Sequence, residues 1–238
     1  MNSKNLFRTV VGFLLFGHAL GQYPEMVPGE YTDQETGIHF LTWSPYTGEG
    51  GIGTYTFGIA LPEDALETDS KEYIGFLQCS KASPDESGWC GVAHAGHMVD
   101  DLLLVAWPHD GEVLTSFRYA SGYYMPAPYS GNSTVIQIRS AVNDTNYEVI
   151  FRCRDCLWWQ EEGYEPGFLS TSNPDQYATL GYAQSKIAPQ PGGCPDKIGF
   201  TFHDNGFAQY FAEYAGAVSP KYKEWAALAT KTVTGTCS

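Results

Sequence analysis

Three histidines and a cysteine pair are the residues whose spacing most directly suggests chemistry. His94 and His97 lie three positions apart and His109 follows them, and neutral imidazoles are common ligands of zinc and copper. A spacing of three on a strand or bend does not place two side chains on one face, so we expect hydrogen-bonded or solvent-facing histidines. Cys153 and Cys156 form a C-x-x-C that could be redox-active, but it follows a strand-like segment instead of starting a helix in a βαβ unit. A structural disulfide is therefore the favoured interpretation of this pair.

A glycine-rich segment, Gly48–Gly53, matches the dinucleotide-binding pattern G-x-G-x-x-G. That fingerprint needs a strand before it and a helix after it, so that the pyrophosphate meets the helix N-terminus. Here a strand-like segment, Thr54–Leu61, follows, which favours a loop and predicts no flavin or nicotinamide domain in this chain. The patterns H-E-x-x-H, G-x-S-x-G and the P-loop do not appear in the sequence, and no pair of carboxylates stands out as a glycosidase site.

Two other side chains lie where a soft metal ligand could be useful. Met98 is on a polar bend between the two strand-like halves of the segment Gly88–Trp107. His203 ends an aromatic segment at the point where a D-N-G turn begins. A haem site needs an apolar slot and one or two axial donors, and a thioether and an imidazole are such donors. From these residues alone, a methionine packed in the core and a histidine hydrogen-bonded at a corner are the simpler interpretations.

Length, charge and cysteine content limit the class of protein. The 238 residues are enough for one β domain of about 200 residues. A net charge of −14 argues against a nucleic-acid partner, because phosphate binding needs a basic surface. Six cysteines, an even number, argue for three disulfides in an oxidising compartment, although sequence cannot choose among the fifteen possible pairings. Proximity along the chain suggests Cys79–Cys90 and Cys153–Cys156, which leaves Cys194–Cys237.

The N-terminus has the three-part pattern of a secretory signal peptide. Two basic residues precede the apolar run Thr9–Leu15, and small residues precede Gln22. The run is too short to cross a bilayer, and no other stretch approaches about 18 apolar residues, so we expect no membrane span. The predicted division is a signal peptide (residues 1–21), a secreted domain (22–230), and a C-terminal tail or the start of a threonine-rich linker (231–238).

Strand-like segments follow one another along the rest of the chain. They are Ile38–Trp43, Thr54–Leu61, Tyr73–Cys79, Leu102–Trp107, Val113–Tyr119, Val135–Ile138, Glu148–Arg152, Tyr177–Gln184 and Ile198–His203. Helical periodicity occurs only near the C-terminus, where Ser219 would be the N-cap and Pro220 the first helical residue. Many short strands, turns rich in Gly and Pro, and one late helix predict an all-β, antiparallel sandwich. Sequons at Asn132 and Asn143 predict N-glycosylated surface loops.

Several segments, taken in order, resemble the cytochrome domain of fungal cellobiose dehydrogenase, and the ascomycete members most closely. They are G-W-C-G-V-A-H-A-G-H-M-V-D-D-L-L-L-V-A-W, V-L-T-S-F-R-Y-A-S-G-Y, F-R-C-R-D-C and C-P-D-K-I-G-F-T-F-H-D-N-G-F. The resemblance implies an immunoglobulin-like β-sandwich that binds one haem b, with Met98 and His203 as the axial ligands of the iron. It also implies that Trp107 and Tyr123 line the haem. His97 stands where other members have a small residue, and it could change the polarity of the pocket or offer a competing donor.

The function that the resemblance implies is electron transfer. Methionine–histidine ligation leaves the iron six-coordinate, with no open position for oxygen, and the soft thioether raises the reduction potential. In the family, a flavin dehydrogenase domain oxidises cellobiose and passes single electrons to the cytochrome. The cytochrome reduces a copper-dependent lytic polysaccharide monooxygenase or other one-electron acceptors. We therefore expect a secreted, extracellular electron-transfer protein of cellulose degradation, with the dehydrogenase reaction itself outside this chain.

One alternative belongs to another class of protein. Sixteen tyrosines make sugar stacking conceivable, so the same sandwich could be a non-redox carbohydrate- or surface-binding module. Such a protein would stay colourless when supplied with haem and would bind cellulose.

Overall fold

Two β-sheets pack face to face in the computed structural model, which describes residues 25–46, 54–81, 83 and 87–237. In chain order the strands are β1 (Met26–Thr32), β2 (His39–Pro45), β3 (Tyr55–Pro62), β4 (Tyr73–Ser80), β5 (Trp89–Ala93), β6 (Leu103–His109), β7 (Glu112–Tyr119), β8 (Ala127–Pro128), β9 (Thr134–Val142), β10 (Asn146–Arg154), β11 (Trp158–Trp159), β12 (Gly167–Phe168), β13 (Tyr177–Ser185), β14 (Phe207–Glu213) and β15 (Val218–Ser219), followed by α1 (Tyr222–Ala226). The predicted signal peptide and the G-x-G-x-x-G segment lie outside the described residues.

The larger sheet has the strand order β1-β2-β3-β4-β10-β9, and the short β15 runs parallel to β3 beside it. The smaller sheet has the order β14-β13-β5-β6-β7-β8, and all of its pairs are antiparallel. No helix in the described part of the chain is long and apolar enough to cross a membrane. The predicted antiparallel, immunoglobulin-like sandwich with a short C-terminal helix is therefore confirmed.

Alternate side chains of both sheets fill the space between them. Phe57 and Tyr73 of the larger sheet are buried in one cluster with Val92 of the smaller sheet. Burying such a side chain stabilises the fold by about 1.5–3 kcal/mol. The disulfide between Cys79 of β4 and Cys90 of β5 joins one sheet to the other across this core.

The other two disulfides join Cys153 to Cys156 and Cys194 to Cys237. All three pairs are the ones that proximity along the chain suggested. Both cysteines of the C-x-x-C pair are fully buried, which supports the structural interpretation of that motif. The third disulfide holds the end of the described chain against the connection between β13 and β14.

The C-terminal helix covers the outer face of the larger sheet, where Trp225 packs into an apolar cluster. Its predicted beginning is wrong, because the helix starts at Tyr222 and not at Pro220. Ser219 belongs to β15, and its hydroxyl accepts the backbone N–H of Lys221 instead of capping a helical turn. Pairing with β3 therefore takes precedence over the capping preference of the serine.

The strand predicted at Leu102–Trp107 is confirmed as β6, and its central residues are buried on both faces. The hairpin between β6 and β7 is also confirmed. Its two turn residues, Asp110 and Gly111, have φ angles of 49° and 80°, as a tight two-residue hairpin requires.

The strand predicted at Ile198–His203 is wrong. This segment makes only an isolated bridge, between Gln190 and Gly199, because it crosses the outer face of the smaller sheet, where no strand edge is free to pair. The next strand, β14, escaped prediction because it places aromatic residues on both of its faces, which hides the alternation of apolar and polar positions.

Candidate functional site

A patch of four small residues lies at the centre of the outer face of the smaller sheet. Side chains alternate across a strand, and Gly181 and Ala183 of β13 are the outward positions between residues of the core. Ala93 and Gly91 of β5 pair directly with them. We call these four residues the floor. A Cβ atom added at Gly181 would lie 2.8 Å from the carbonyl oxygen of Gly96, so the chain passes closely over the floor at this point.

Larger side chains border the floor on its two sides. Phe207 of β14 pairs with Ala183, and Val105 of β6 pairs with Gly91. The ring of Phe207 is 45% exposed, so this border faces solvent. We call the floor and these two bordering side chains the slot. Val105 is 4% exposed, because Ile198 of the connection between β13 and β14 packs against it.

Met98 lies at one end of the slot, on residues 94–102, which connect β5 to β6 and which we call the bend. Gly96 has a φ angle of 85°, and a Cβ atom there would lie 2.7 Å from the Cγ2 methyl of Thr179. The bend can therefore fold against β13 only because this position is glycine. Asp100 also has a positive φ, of 56°, which aspartate tolerates better than most residues. Met98 is half-buried, and His97 beside it is exposed.

A buried carboxyl group occupies the interior of the bend. Asp101 is fully buried, and its two carboxylate oxygens accept the backbone N–H of Ala95 at 2.9 and 2.8 Å. Burial raises the pKa of this carboxyl to about 8, against the opposing effect of backbone N–H groups, which include those of Ala95, His97 and Leu102. The carboxylate thus contacts the bend on both sides of Met98.

His94 closes the base of the bend. Its Nδ1 lies 2.7 Å from the carbonyl oxygen of Leu102, and its Nε2 lies 2.9 Å from the hydroxyl of Tyr73. A carbonyl only accepts, so Nδ1 carries the proton and Nε2 accepts the hydrogen bond of the tyrosine. Burial lowers the pKa of His94 to about 4, although the hydrogen bond to Leu102 opposes this. The expected hydrogen-bonded histidine is confirmed at this position.

One group of potential metal ligands forms near His94. Donor atoms of His94, Cys153 and Cys156 lie within 4.8 Å of one another. Both sulfurs belong to one disulfide and both imidazole nitrogens are hydrogen-bonded, so this group has no free ligand to offer. His109 lies at the opposite end of β6, with its Nε2 3.4 Å from the carboxylate of Asp110. The three histidines therefore do not converge on one site.

His203 lies at the other end of the slot, on residues 186–206, which connect β13 to β14 and which we call the arm. The arm is anchored to β13 by the backbone N–H of Asn205, which donates to Gln184 at 3.0 Å. The rings of Phe202 and Phe207 lie 4.0 and 4.3 Å from the imidazole, centroid to centroid. Burial lowers the pKa of His203. Its Nδ1 is buried and makes no hydrogen bond with any described residue.

The strand register sets the distance between the bend and the arm. Gly96 of the bend contacts Thr179, whereas the arm ends where β14 pairs with Ala183. Four residues of strand correspond to about 14 Å at about 3.4 Å per residue. The bend with Met98 and the arm with His203, which are 105 positions apart in the sequence, thus contact β13 at different points along the floor.

Trp107 and Tyr123 have different positions relative to the slot. Trp107 is an outward residue of β6 but is buried, because the arm covers it and its Nε1 donates to the carbonyl of Gly192 at 2.7 Å. Tyr123 is 88% exposed, in the loop that follows β7. That loop adjoins the bend, since the backbone N–H of Asp100 donates to Ala120 at 2.8 Å.

The two sequons differ in their surroundings. Asn143 is exposed in the turn between β9 and β10. The side chain of Asn132 donates to the carbonyl of Trp158 at 3.1 Å and accepts the hydroxyl of Tyr129 at 2.8 Å. Glycosylation stays a prediction at both positions.

Sequence reasoning did not single out Asp101 or the floor. Asp101 follows another aspartate in a polar turn, a pattern typical of a solvated loop. The floor has a weak signal, because small residues recur at alternate positions in G-V-A (91–93) and in G-Y-A (181–183). That signal becomes meaningful only once β5 and β13 are known to be neighbours.

Comparison with known proteins decides the family. Residues 31–224 match the family model described as the cytochrome domain of cellobiose dehydrogenase. The chain belongs to this family. The solved cytochrome domain of cellobiose dehydrogenase from Myriococcum thermophilum is 44% identical, with a TM-score of 0.81, over 87% of this chain and 99% of that one. The resemblance seen in the sequence is therefore confirmed.

Two proteins outside cellobiose dehydrogenase are similar to this chain, one in fold and one in part of its sequence. The cytochrome b domain of pyranose dehydrogenase from Coprinopsis cinerea has the same fold, with 23% identity and a TM-score of 0.66 over 86% of this chain and 96% of that one. A pyrroloquinoline quinone-dependent pyranose dehydrogenase from Coprinopsis cinerea is 30% identical over 132 residues, which are 56% of this chain and 17% of that protein. The chain thus corresponds to a small part of this curated relative.

The slot suits the b-type haem of this cytochrome family. A flat macrocycle needs a surface without protruding side chains, and the floor offers no side chain larger than a methyl group. The border residues Phe207 and Val105 are apolar, as a haem pocket requires. A thioether on the bend and an imidazole on the arm are a suitable donor pair for haem iron, and the buried Nδ1 of His203 has no partner among the described residues.

Proposed function

We propose that this domain holds one haem b in the slot, with Met98 and His203 as the axial iron ligands, and that it is a secreted electron-transfer protein. The observation that carries the proposal is the approach of the bend and the arm to one floor of small residues from opposite ends. The three disulfides and the signal-like N-terminus support secretion.

The residues of the slot define what the site could do. Bound haem supplies a one-electron couple. Donors on both the bend and the arm would fill both axial positions, so that no substrate reaches the metal and only electrons pass. Tyr123 lies exposed in the loop that adjoins the bend, where an electron could leave toward a partner, while Trp107 supports the arm from beneath.

We propose a cellobiose-oxidising flavin dehydrogenase, tethered or separate, as the electron source. A lytic polysaccharide monooxygenase, or another one-electron acceptor, is the proposed recipient. Family membership supports a dehydrogenase source. The partial match to a pyrroloquinoline quinone-dependent enzyme makes a quinone-dependent dehydrogenase the second source to test.

The ligand assignment is tested by absorption spectra of the purified protein loaded with haem. The wild type should show the sharp α and β bands of a reduced, low-spin, six-coordinate haem. Met98→Ala and His203→Ala should each lose this signature. Matched controls are Met125→Ala, at an exposed methionine, and His109→Ala, at a partly exposed histidine, and both should keep it. Wild-type spectra in both ligand variants would refute the assignment.

The electron-transfer role is tested by mixing the oxidised protein with a cellobiose dehydrogenase flavin domain and cellobiose. Reduction of the haem bands, dependent on cellobiose, is the expected result. A protein that stays colourless after haem supplementation but sediments with cellulose would instead support the carbohydrate-binding alternative.

A further inference from the structure

Asp101 is a buried acid that the proposed ligand set does not use. It takes part in no ion pair among the described residues, so its compensation comes from backbone N–H groups of the bend. A buried carboxyl group is destabilising unless it is paired or hydrogen-bonded. The burial of Asp101 must therefore be explained by the groups that its side chain contacts.

The length of the bend provides that explanation. The hairpin between β6 and β7 turns with two residues, whereas β5 and β6 are joined by the nine residues 94–102. A connection of this length has backbone N–H groups that no strand partner satisfies, and a buried N–H without an acceptor is costly. Asp101 accepts the N–H of Ala95 with both oxygens, and the N–H of His97 also points to it. The side chain of Asp101 thus fixes the backbone that precedes Met98, while the backbone of Asp101 itself follows Met98.

We propose that Asp101 is the positioning residue for Met98: its carboxyl group holds the bend in one conformation, so that the thioether is presented to the slot. This inference rests on the proposed haem site. Groups behind a metal ligand commonly orient it, and their loss lowers metal affinity about 10- to 100-fold. A methionine on a nine-residue connection depends on such support more than a ligand on a strand does.

The experiment compares Asp101→Ala and Asp101→Asn with the wild type, all loaded with haem. Alanine removes all acceptors, and asparagine keeps one oxygen but turns an NH2 group toward the backbone donors. We expect haem affinity to fall about 10- to 100-fold in the alanine variant and less in the asparagine variant. We also expect the reduced variants to bind carbon monoxide, which a methionine held on the iron prevents, and their reduction potentials to shift.

The matched control is Asp33→Asn, the same substitution at an equally buried aspartate near the larger sheet. It should lower stability yet keep the wild-type spectrum and its inertness to carbon monoxide. If Asp33→Asn and Asp101→Asn lose the low-spin haem spectrum to the same extent, the loss reflects lower stability of the whole domain, and the proposal is overturned. Unchanged spectra and haem affinity in both Asp101 variants would overturn it directly.

Backbone amide hydrogen exchange of the haem-free proteins gives a readout that needs no cofactor. Exchange across residues 94–102 should accelerate in Asp101→Asn and stay at the wild-type rate in Asp33→Asn. If the wild type takes up no haem, the proposed function fails, and unchanged exchange of the bend would refute the role of Asp101 as well. If the alanine variant does not fold, the asparagine variant carries the test.

Discussion

Protonation of His94 should limit the stability of this domain in acid. The imidazole is 2% exposed and neutral, with Nδ1 donating to Leu102 and Nε2 accepting from Tyr73. The test variant is His94→Gln, which keeps one donor and one acceptor but cannot become charged. We expect the advantage of the wild type over this variant to depend strongly on pH.

The magnitude follows from the two pKa values of His94. Burial lowers its pKa from 6.5 to about 4. Between these values the unfolded chain binds a proton that the folded protein excludes. The contribution of His94 to the unfolding free energy is therefore fully present above about pH 6.5 and is lost as the pH decreases toward 4. The full loss is about 3.5 kcal/mol, at about 1.4 kcal/mol per pKa unit, and about 3 kcal/mol of it is reached at pH 4.

Urea unfolding at pH 7 and pH 4, with equal haem content in all samples, measures this effect. The difference in unfolding free energy between the wild type and His94→Gln should shrink by about 3 kcal/mol at the lower pH. The control is His39→Gln, at a partly exposed histidine that contacts the hydroxyl of Thr32. Its difference from the wild type should change far less. A difference that is constant from pH 7 to pH 4 in His94→Gln would refute the reasoning.

Three further substitutions test the slot, the helix and a buried ion pair. Gly181→Val should lower haem retention, measured by absorbance after gel filtration, because its Cβ would meet the carbonyl of Gly96 at 2.8 Å and displace the bend that carries Met98; retention at the wild-type level would exclude a site that depends on this contact. Trp225→Ala should lower the unfolding free energy by about 3 kcal/mol in urea, since it removes the whole indole ring from a nearly buried site. Arg139→Met leaves the carboxylate of Asp33 buried without its partner at 2.7 Å and should cost about 2–3 kcal/mol at pH 7. Since Arg139 helps to keep the pKa of Asp33 low, that cost should decrease on acidification below pH 4, and a pH-independent cost would contradict this account.

Local pattern was sufficient where a residue's neighbours along the chain decide its environment. Alternation and β-branched or aromatic content predicted β6 and its hairpin, whose turn needs Asp110 and Gly111 in left-handed conformations. The disulfides within 3 and 11 residues followed from proximity. Met98 and His203 were identified through ordered motifs of the family, and their ligand role remains a proposal.

Local pattern failed where distant segments decide what a residue meets. The aromatic segment Ile198–His203 reads as a strand, but the smaller sheet is already bordered by β14, so this part of the arm lies across the face of the sheet. Asp101 reads as a solvated turn residue, yet the fold buries it against the backbone of its own bend. Burial of a polar group depends on what covers it, and periodicity carries no information on that.

The sequence by itself determined the sandwich class and most of the strands; proximity along the chain suggested the disulfide partners, and the family resemblance suggested the two candidate ligands. Only the tertiary structure decided that the bend with Met98 and the arm with His203 adjoin the same floor of small residues. The bend and the arm lie along one floor because β5 and β13, which are separated by the 83 residues 94–176, pair in antiparallel register. That register aligns four small residues, and it exists only after both strands have joined one sheet, because side-chain alternation orients a residue within its own strand but does not choose its neighbour.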